Sequence, residues 1–363
     1  MTSICLGINF NLVAIIKDIE SNAKILKLSI SKNMSYPLVS VITPSYNRDW
    51  IIQQCIDSIK SQSYGNLEHI VVDGGSQDRT VELLKNEEKH YHLRWLSEKD
   101  AGIYDAVNKG LSLAKGDIIA YLNTDDFYFP YTVETVVDVF NSTDADIVYG
   151  DWVNLYYPSA NLELLPWLKF SKYDLLSDYN LPQPTVFIRR NVFEKIGNFN
   201  LDYTLVADNE FFTRAALAGF KLVKIEEVLA GQTIHQNNLL AGNSSSRVTA
   251  LEEGIKYRQY YQELYKISSL YLLLLRLKNR LLFRINADFK ILQFFLSYSG
   301  EKLHCFPEFS SYLKTRKISL SRLKMIKYLI INLLFQGGYN KSSLVFIQIL
   351  DGVFEVNHEN VNH

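Results

Sequence analysis

The feature that most constrains this chain is a short apolar run that leads into two adjacent carboxylates. Residues 118–122 are apolar, and Asp125 and Asp126 follow shortly after them. Such a run is typical of a buried strand, and open α/β sheets bind ligands at the carboxyl ends of their strands. Two neighbouring carboxylates repel each other unless a cation neutralises them. The pattern therefore predicts a divalent cation, Mn²⁺ or Mg²⁺, that would hold nucleotide phosphates.

Around this run, the sequence alternates between strand and helix patterns. Before residue 151 it predicts strands at 38–43, 68–73, 93–97, 117–122 and 146–149, and helices at 50–62, 80–89, 103–114 and 130–140. This order predicts a mostly parallel sheet with helices on both faces. After residue 151, prolines interrupt the pattern. There the sequence predicts a strand and helix at 185–189 and 191–196, a helix at 208–218 and a strand at 221–225.

The composition is that of a folded intracellular protein. The 363 residues are 47% hydrophobic and 21% charged, which is enough apolar material for a large core. The three cysteines, Cys5, Cys55 and Cys305, form no CxxC pair, so they predict neither a disulfide framework nor a zinc site. The sequence has no signal-peptide pattern and no uninterrupted apolar run of about 18 residues, and we expect a cytoplasmic protein without a transmembrane helix.

Positive charge is concentrated in one part of the chain. The formal net charge is -1, but residues 254–330 contain fifteen Lys and Arg against four acidic residues, and apolar groups recur among them. Basic helices with an apolar face can lie on an anionic membrane surface. The alternative is a helical subdomain that packs its apolar face on the rest of the protein, and the two interpretations are compatible.

Four polar groups follow four of the predicted strands, at residues 43–48, 73–78, 98–102 and 123–126. Because parallel strands end at the same edge of a sheet, we expect all four groups to meet there. Glycines in the second group allow close approach of a ligand, and Asp73 can accept a hydrogen bond from a base or a ribose hydroxyl. The convergence predicts a nucleotide site.

These motifs, in this order and at this spacing, resemble the nucleotide-binding half of the family 2 glycosyltransferases, which have the GT-A fold. The resemblance rests on Thr-Pro-Ser-Tyr-Asn-Arg at 43–48, Asp-Gly-Gly-Ser-Gln-Asp at 73–78, the stretch from Asp100 to Gly110, and Thr-Asp-Asp at 124–126, and it extends to about His235. It implies a GT-A domain at 38–235, preceded by an N-terminal extension at 1–37. The polar composition after it predicts a mobile loop or lid at 236–250, and the basic and apolar pattern beyond predicts a basic, amphipathic, mainly helical region at 251–363.

The resemblance also implies roles for individual residues. Tyr46 would stack on the base, Asp73 would hydrogen-bond it, and Asp100 would orient the nucleotide-sugar. Asp126 would hold the cation, Asp125 would contact the ribose or the cation, and His235 would join the metal or cap the diphosphate. The full set implied for nucleotide-sugar binding is Thr43, Tyr46, Asn47, Asp73, Asp100, Asn123 and Asp125. Asn123 stands where the family often has Asp, which removes one formal charge from the metal site.

The acceptor half of the site is expected around Asp208. This residue lies in an acidic motif that resembles the one in which the family's Asp activates the acceptor, although Ala207 precedes it where many relatives have Glu. The resemblance implies a single displacement with inversion. A simpler interpretation makes Asp208 only the N-cap of its helix. Gln183, and Trp152 beside the predicted sheet edge, are candidate contacts for the acceptor.

Together, the residues and the resemblance predict a metal-dependent, inverting glycosyltransferase. It would move one sugar from a UDP-, GDP- or dTDP-sugar to a glycan acceptor, expected to be lipid-linked, in cell-surface polysaccharide biosynthesis. It would work at the inner face of the plasma membrane and would bind no nucleic acid. A nucleotidyltransferase is the first alternative, but residues 43–48 lack glycine. A non-catalytic scaffold is the second, and intact Asp126 and Asp208 argue against it.

Overall fold

A nine-stranded sheet carries helices on both faces in the computed structural model, which describes residues 36–156, 161–165, 169, 172–177, 180–236, 238 and 244–281. The strands are β1 Val39–Ser45, β2 Leu67–Asp73, β3 Leu93–Ser97, β4 Ile118–Tyr121, β5 Asp126–Tyr128, β6 Ile147–Tyr156, β7 Asn161–Leu165, β8 Phe187–Arg189 and β9 Leu222–Ile234. The helices are α1 Ile52–Lys60, α2 Thr80–Glu87, α3 Ile103–Leu113, α4 Thr132–Ser142, α5 Arg190–Ile196, α6 Ala207–Leu217, α7 Ser244–Leu264 and α8 at 269–281.

The strands lie in the order β3-β2-β1-β4-β8-β6-β9-β5, and β7 pairs with β6. Strands β1 to β4 are all parallel to one another, and β6 is parallel to β9. The other pairs are antiparallel. The predicted α/β class with a helix-flanked sheet is confirmed. Because β1, β2, β3 and β4 point the same way, their carboxyl ends share one edge of the sheet, as predicted.

The core lies on both faces of the sheet, and β1 shows why. Val41 and Ile42 are both fully buried, yet they contribute to different apolar clusters. Successive side chains of a strand point to opposite faces, so a strand covered on both faces is apolar without alternation. Helix α3 approaches β1 so closely that a Cβ on Gly110 would lie 2.4 Å from Ile42 Cγ2. The tight packing of α3 positions the loop that precedes it, at the carboxyl edge of the sheet.

The first two helices of the predicted basic region, α7 and α8, pack against the apolar core on one face of the sheet. Tyr257 of α7 and Leu272 of α8 are 1% and 3% exposed and join the same apolar cluster as Ile42. Asn279 donates to Asp174 Oδ1 over 2.8 Å, and both residues are buried. The contacts place residues up to Asn279 in one compact unit, and only residues 280–281 of the second unit are described. None of the helices in the described ranges is long and apolar enough to cross a bilayer.

Three differences from the predicted elements bear on the site. Strand β5 was missed, β6 and β9 are longer than predicted, and β7 forms a hairpin with β6. The predicted loop 236–250 is too long at its carboxyl end, because α7 already begins at Ser244. The predicted extension 1–37 lies outside the described residues except for its last two, and the same holds for residues 282–363 of the predicted C-terminal region.

Candidate active site

The loops that follow β1, β2 and β3 are joined into one surface at the carboxyl edge. Asn47 holds two of them together: its backbone N–H donates to Ser76 Oγ over 2.7 Å, and its Oδ1 accepts from the Gln77 N–H over 2.8 Å. Asn47 adopts a left-handed conformation with φ of 53°, which Asn tolerates better than most residues. A Cβ on Gly74 would lie 2.5 Å from Asp100 Oδ2, so a side chain at this position would displace the Asp100 carboxylate where the third loop meets the second.

Two residues predicted to contact the nucleotide, Thr43 and Asp73, are buried and form hydrogen bonds within the protein. Thr43 is fully buried, and its Oγ1 lies 2.9 Å from His69 Nε2. Burial lowers the pKa of His69 to about 3, so this imidazole is neutral at physiological pH. The carboxylate of Asp73, also fully buried, accepts hydrogen bonds from the backbone of the following loop and from side-chain hydroxyls. These donors are Gly75 N, Ser76 N, Ser76 Oγ and Ser97 Oγ.

The two oxygens of Asp73 are occupied unequally. Oδ2 accepts three of these hydrogen bonds, whereas Oδ1 accepts one, from Ser76 Oγ, and keeps capacity for a further donor. In this arrangement Asp73 orders the loop that begins at Gly74. Tyr46, by contrast, is 55% exposed at the rim, where its ring is accessible for stacking.

Asp126 is the most unusual carboxylate of the site. It begins β5, where Asp126 pairs with Gln232 of β9, and it is fully buried. Its Oδ2 accepts from Asn123 Nδ2 over 3.2 Å, while Oδ1 has no hydrogen-bond partner among the described residues. Burial, together with the charge of Asp125, raises the pKa of Asp126 well above its usual range. A buried carboxylate oxygen without a donor is costly, and a ligand that binds it offsets the cost.

Asp125 faces a polar cluster that comes from the end of β9. Its Oδ2 accepts from Asn238 Nδ2 over 2.8 Å and lies 3.2 Å from His235 Nε2. Asn238 also donates to the Thr233 carbonyl over 3.1 Å, so its amide connects Asp125 to the strand end. The Trp50 ring stands edge-on to His235 at 4.8 Å and is 46% exposed. Asn238 lies in a polar segment of the sequence with no motif, so it was not among the predicted site residues, and neither was Trp50.

The donor set suits a hard divalent cation that is only partly held by the protein. Within the described ranges, no group of three or more His, Cys, Asp and Glu side chains forms a complete metal cage. Mg²⁺ and related cations in nucleotide enzymes commonly use one or two carboxylates, with substrate phosphates and waters completing the coordination. The unpartnered Oδ1 of Asp126 and the carboxylate of Asp125 beside it fit that pattern.

Asp208 lies in the first turn of α6, between two tyrosine hydroxyls. Tyr104 OH donates to Asp208 Oδ1 over 2.9 Å, and Tyr121 OH donates to Oδ2 over 3.2 Å. Burial raises the pKa of Asp208 above its ordinary value, while the two hydroxyls lower it by a smaller amount. The N-cap position belongs to Val206, whose side chain makes no capping hydrogen bond, and Asp208 Oδ1 accepts from the Asn209 N–H of the first turn over 2.7 Å. Asp208 is therefore not the N-cap residue of α6.

Gln183 lies between this carboxylate and the pair at the end of β4. Its Nε2 donates to the Tyr121 carbonyl over 2.7 Å, and its Oε1 accepts from Asn123 Nδ2 over 3.2 Å. Since Tyr121 also contacts Asp208 and Asn123 also contacts Asp126, the two halves of the candidate site are continuous. Trp152 is half-buried on β6, opposite Ala230 of β9.

The geometry is that of an α/β enzyme with a ligand site at the carboxyl edge of its parallel strands, and sequence relatives identify the family. The profile of Glycosyl transferase family 2 matches residues 40–197. A PGL/p-HBAD biosynthesis glycosyltransferase of Mycobacterium bovis is 33% identical over 186 residues, which are 50% of this chain and 70% of the relative. Glycosyltransferase AglE of Haloferax volcanii is 31% identical over 201 residues, covering 53% and 66% of the two chains. The chain belongs to glycosyl transferase family 2, and it is a glycosyltransferase.

Solved structures share the fold at low sequence identity. A mannosyltransferase from Pyrobaculum calidifontis, PcManGT, in complex with GDP-Man and Mn²⁺, superimposes with a TM-score of 0.51 at 16% identity and covers 90% of this chain and 87% of its own. Residues 1–349 of S. aureus TarS in complex with UDP-GlcNAc give a TM-score of 0.50 at 16% identity, covering 59% and 66%. The GT-A fold implied by the sequence is thereby confirmed.

Proposed function

We propose that this protein transfers a single sugar from a nucleotide-diphosphate sugar to a hydroxyl of a glycan acceptor, with inversion and with the help of a divalent cation. The observation that carries the proposal is that the site contains two carboxylates with different hydrogen-bond surroundings. Among the described residues, Asp126 has a buried oxygen without a donor, while Asp208 accepts from two hydroxyls, and Tyr121 and Gln183 connect them. That PcManGT binds GDP-Man and Mn²⁺, and TarS binds UDP-GlcNAc, supports this class of donor and cation.

The proposed reaction assigns one task to each half of the site. The acceptor hydroxyl attacks the anomeric carbon, its proton passes to Asp208, and the bond from that carbon to the diphosphate oxygen breaks. A single displacement of this kind inverts the anomeric configuration. A bound divalent cation would supply charge neutralisation for the departing diphosphate, with Asp126 and Asp125 as its ligands and His235 beside them. Tyr46 at the rim would stack on the base, and Asp100 and Asn47 would line the donor pocket.

Nucleotide binding in the presence of a cation tests the donor half. We expect UDP, GDP or dTDP with Mn²⁺ to raise the melting temperature by about 5 °C at a concentration near one hundred times Kd, because a ligand of the folded state stabilises it. The same nucleotide with EDTA should give a much smaller shift. Equal shifts with Mn²⁺ and with EDTA would contradict cation-assisted binding, and no shift with any of the three would contradict the proposed donor.

A lipid-linked acceptor is supported by the outer face of α8. The buried face of this helix carries Leu272 and Leu275, whereas four other leucines at helical spacing are about half exposed or more. These are Leu270, Leu273, Leu274 and Leu277. Arg276 and Lys278 lie among them, and residues 269–281 include no acidic residue. An apolar stripe with flanking basic side chains is typical of a helix that lies on an anionic membrane surface.

We therefore propose that the protein works at the cytoplasmic face of the plasma membrane, on an acceptor carried by lipid in cell-surface polysaccharide biosynthesis. Replacing Leu273 and Leu277 together by Ser should reduce flotation of the full chain with anionic vesicles by about tenfold or more, since each leucine loses apolar contact with lipid. Leu201→Ser is the matched control, because Leu201 is 50% exposed but lies outside α7 and α8. Unchanged flotation of the double variant, or equal flotation with neutral vesicles, would refute this surface.

A further inference from the structure

Asp208 is held in an arrangement that a residue needed only for helix formation would not require. Each carboxylate oxygen accepts from a different tyrosine, Tyr104 on α3 and Tyr121 at the end of β4. Both tyrosines are buried, with exposures of 5% and 6%, and their rings pack on the same phenylalanine, Phe199. Asn108 of α3 donates to the Phe199 carbonyl over 2.9 Å and accepts from its N–H over 3.1 Å. The tyrosine rings are thus fixed by packing, and the hydroxyl positions are fixed with them.

Tyr104 and Tyr121 also differ in their other contacts. Those of Tyr104 lie next to α6, and those of Tyr121 lead to Asn123 near Asp126. The Tyr104 hydroxyl has the carboxylate at 2.9 Å and the Leu205 carbonyl at 3.3 Å, so its one proton has two acceptors next to α6. The backbone carbonyl of Tyr121 accepts from Gln183, which in turn contacts Asn123.

We propose that Tyr104 and Tyr121 are positioning residues that hold the Asp208 carboxylate in the orientation needed to take the acceptor proton. This inference rests on the proposed role of Asp208 as the base. The hydroxyls direct the carboxylate without touching the substrates. Two donors from separate elements restrict rotation of a side chain that would otherwise sample several rotamers. Such preorganisation lowers the barrier because the base needs no reorientation during the reaction.

The same contacts set the pH range in which Asp208 is ionised. Burial raises the pKa of this carboxyl and the tyrosine hydroxyls lower it. The other titratable groups that interact with this cluster are Glu253 and Tyr257 of α7, through Tyr104 and Asp208 respectively, and Asp126, through Tyr121. None of these is a cation. The Asn209 N–H, which donates to Asp208 Oδ1 over 2.7 Å, favours the charged form of Asp208, and so do the two hydroxyls. Losing one hydroxyl should therefore raise the pKa of Asp208 and shift the acid limb of the pH–activity profile to higher pH.

The test compares Tyr104→Phe and Tyr121→Phe with Tyr64→Phe in the full chain loaded with Mn²⁺. Tyr64 is a matched control because it is also buried and also donates one hydrogen bond, to the Pro37 carbonyl over 2.7 Å at the opposite end of β1. We expect each of the first two variants to lower kcat about tenfold, to move the acid limb of the kcat profile up by about one pH unit, and to leave KM for the donor unchanged. Tyr64→Phe should alter only the melting temperature.

The Asp208→Asn background separates this inference from the proposed function. There the tyrosine substitutions should leave the residual rate unchanged, because no carboxylate remains to be positioned. If Asp208→Asn itself retains full activity, the proposed base is wrong. If Asp208→Asn is inactive but both tyrosine variants keep the wild-type kcat and pH profile, the base stands and the positioning role is refuted. Should one tyrosine variant fail to fold, as judged by circular dichroism, the kcat and pH profile of the other decide the question independently.

Discussion

Replacing Asp208 by Asn is expected to lower kcat by about 10²–10⁴-fold, which is the range for loss of a general base. The amide can still accept from a tyrosine hydroxyl through its oxygen, but it cannot take a proton from the acceptor. The two tyrosines that contact Asp208 are anchored by their own ring packing, so the site should keep its shape. Transfer measured as release of nucleoside diphosphate, with KM for the donor measured in parallel, checks this expectation.

The control for Asp208→Asn is Asp202→Asn, six residues earlier. Asp202 is exposed, and its backbone N–H, not its carboxylate, makes the local hydrogen bond to Asn200 Oδ1. Its replacement removes the same charge outside the site and should leave kcat unchanged. A loss of nucleotide binding in Asp208→Asn, with turnover per bound donor preserved, would show that Asp208 belongs to the donor half of the site instead.

Replacing Asp126 by Asn is expected to have two effects of opposite sign. Turnover should fall at least about a hundredfold, because the neutral side chain is a much weaker cation ligand than a carboxylate. In contrast, the metal-free protein should become more stable by roughly 1–2 kcal/mol, since a buried charge next to Asp125 is removed. Thermal unfolding in EDTA measures the second effect, and a rise of a few degrees in melting temperature is expected.

The sign of the stability effect follows from the pKa of Asp126, which burial and the Asp125 charge raise well above its usual range. A carboxyl whose pKa is raised in the folded state makes the fold less stable at neutral pH, and this cost decreases as the pH falls below the raised pKa and is absent below the ordinary pKa of the unfolded chain. Asp57→Asn serves as control, because Asp57 is exposed on α1 and accepts from Gln53 over 3.1 Å. A metal-free Asp126→Asn protein less stable than the control, or a fully active one, would contradict the cation role.

Much of the parallel half of the fold could be predicted from local pattern. The apolar spacing of α1 predicted a helix, and Ile52, Cys55, Ile56 and Ile59 are indeed its buried residues. Periodicity predicts these elements because a helix that buries one face repeats its apolar residues along that face. A strand buried on both faces is instead apolar throughout. Strand β5 was not predicted because it is too short to show a periodic pattern. It has only three residues, and its pairing with β9 joins segments about one hundred positions apart.

The candidate site divides in the same way. The chemistry of the site was readable in the residue types, in Asp125 and Asp126 after a strand and in Asp208 at the start of a helix. The partners that decide what each carboxylate can do were not readable. Tyr104 and Tyr121 are 104 and 87 positions from Asp208, and Asn238 is 113 positions from Asp125. In the sequence, these tyrosines cannot be distinguished from ordinary core residues. In the structure, their apolar rings are buried and only the hydroxyls contact Asp208.

By itself, the amino-acid sequence determined the α/β class, the edge of the sheet at which the functional groups meet, and the family to which this glycosyltransferase belongs. These follow from short-range periodicity and from residue types at strand ends, which are local properties of a chain. Only the tertiary structure decided that Asp73 is hydrogen-bonded by the following loop and by Ser97 of β3, that Asp126 has an oxygen without a donor among the described residues, and that Asp208 lies between two hydroxyls. Burial and hydrogen-bond partnership arise when distant segments pack together, and they set the charge and orientation of each carboxylate.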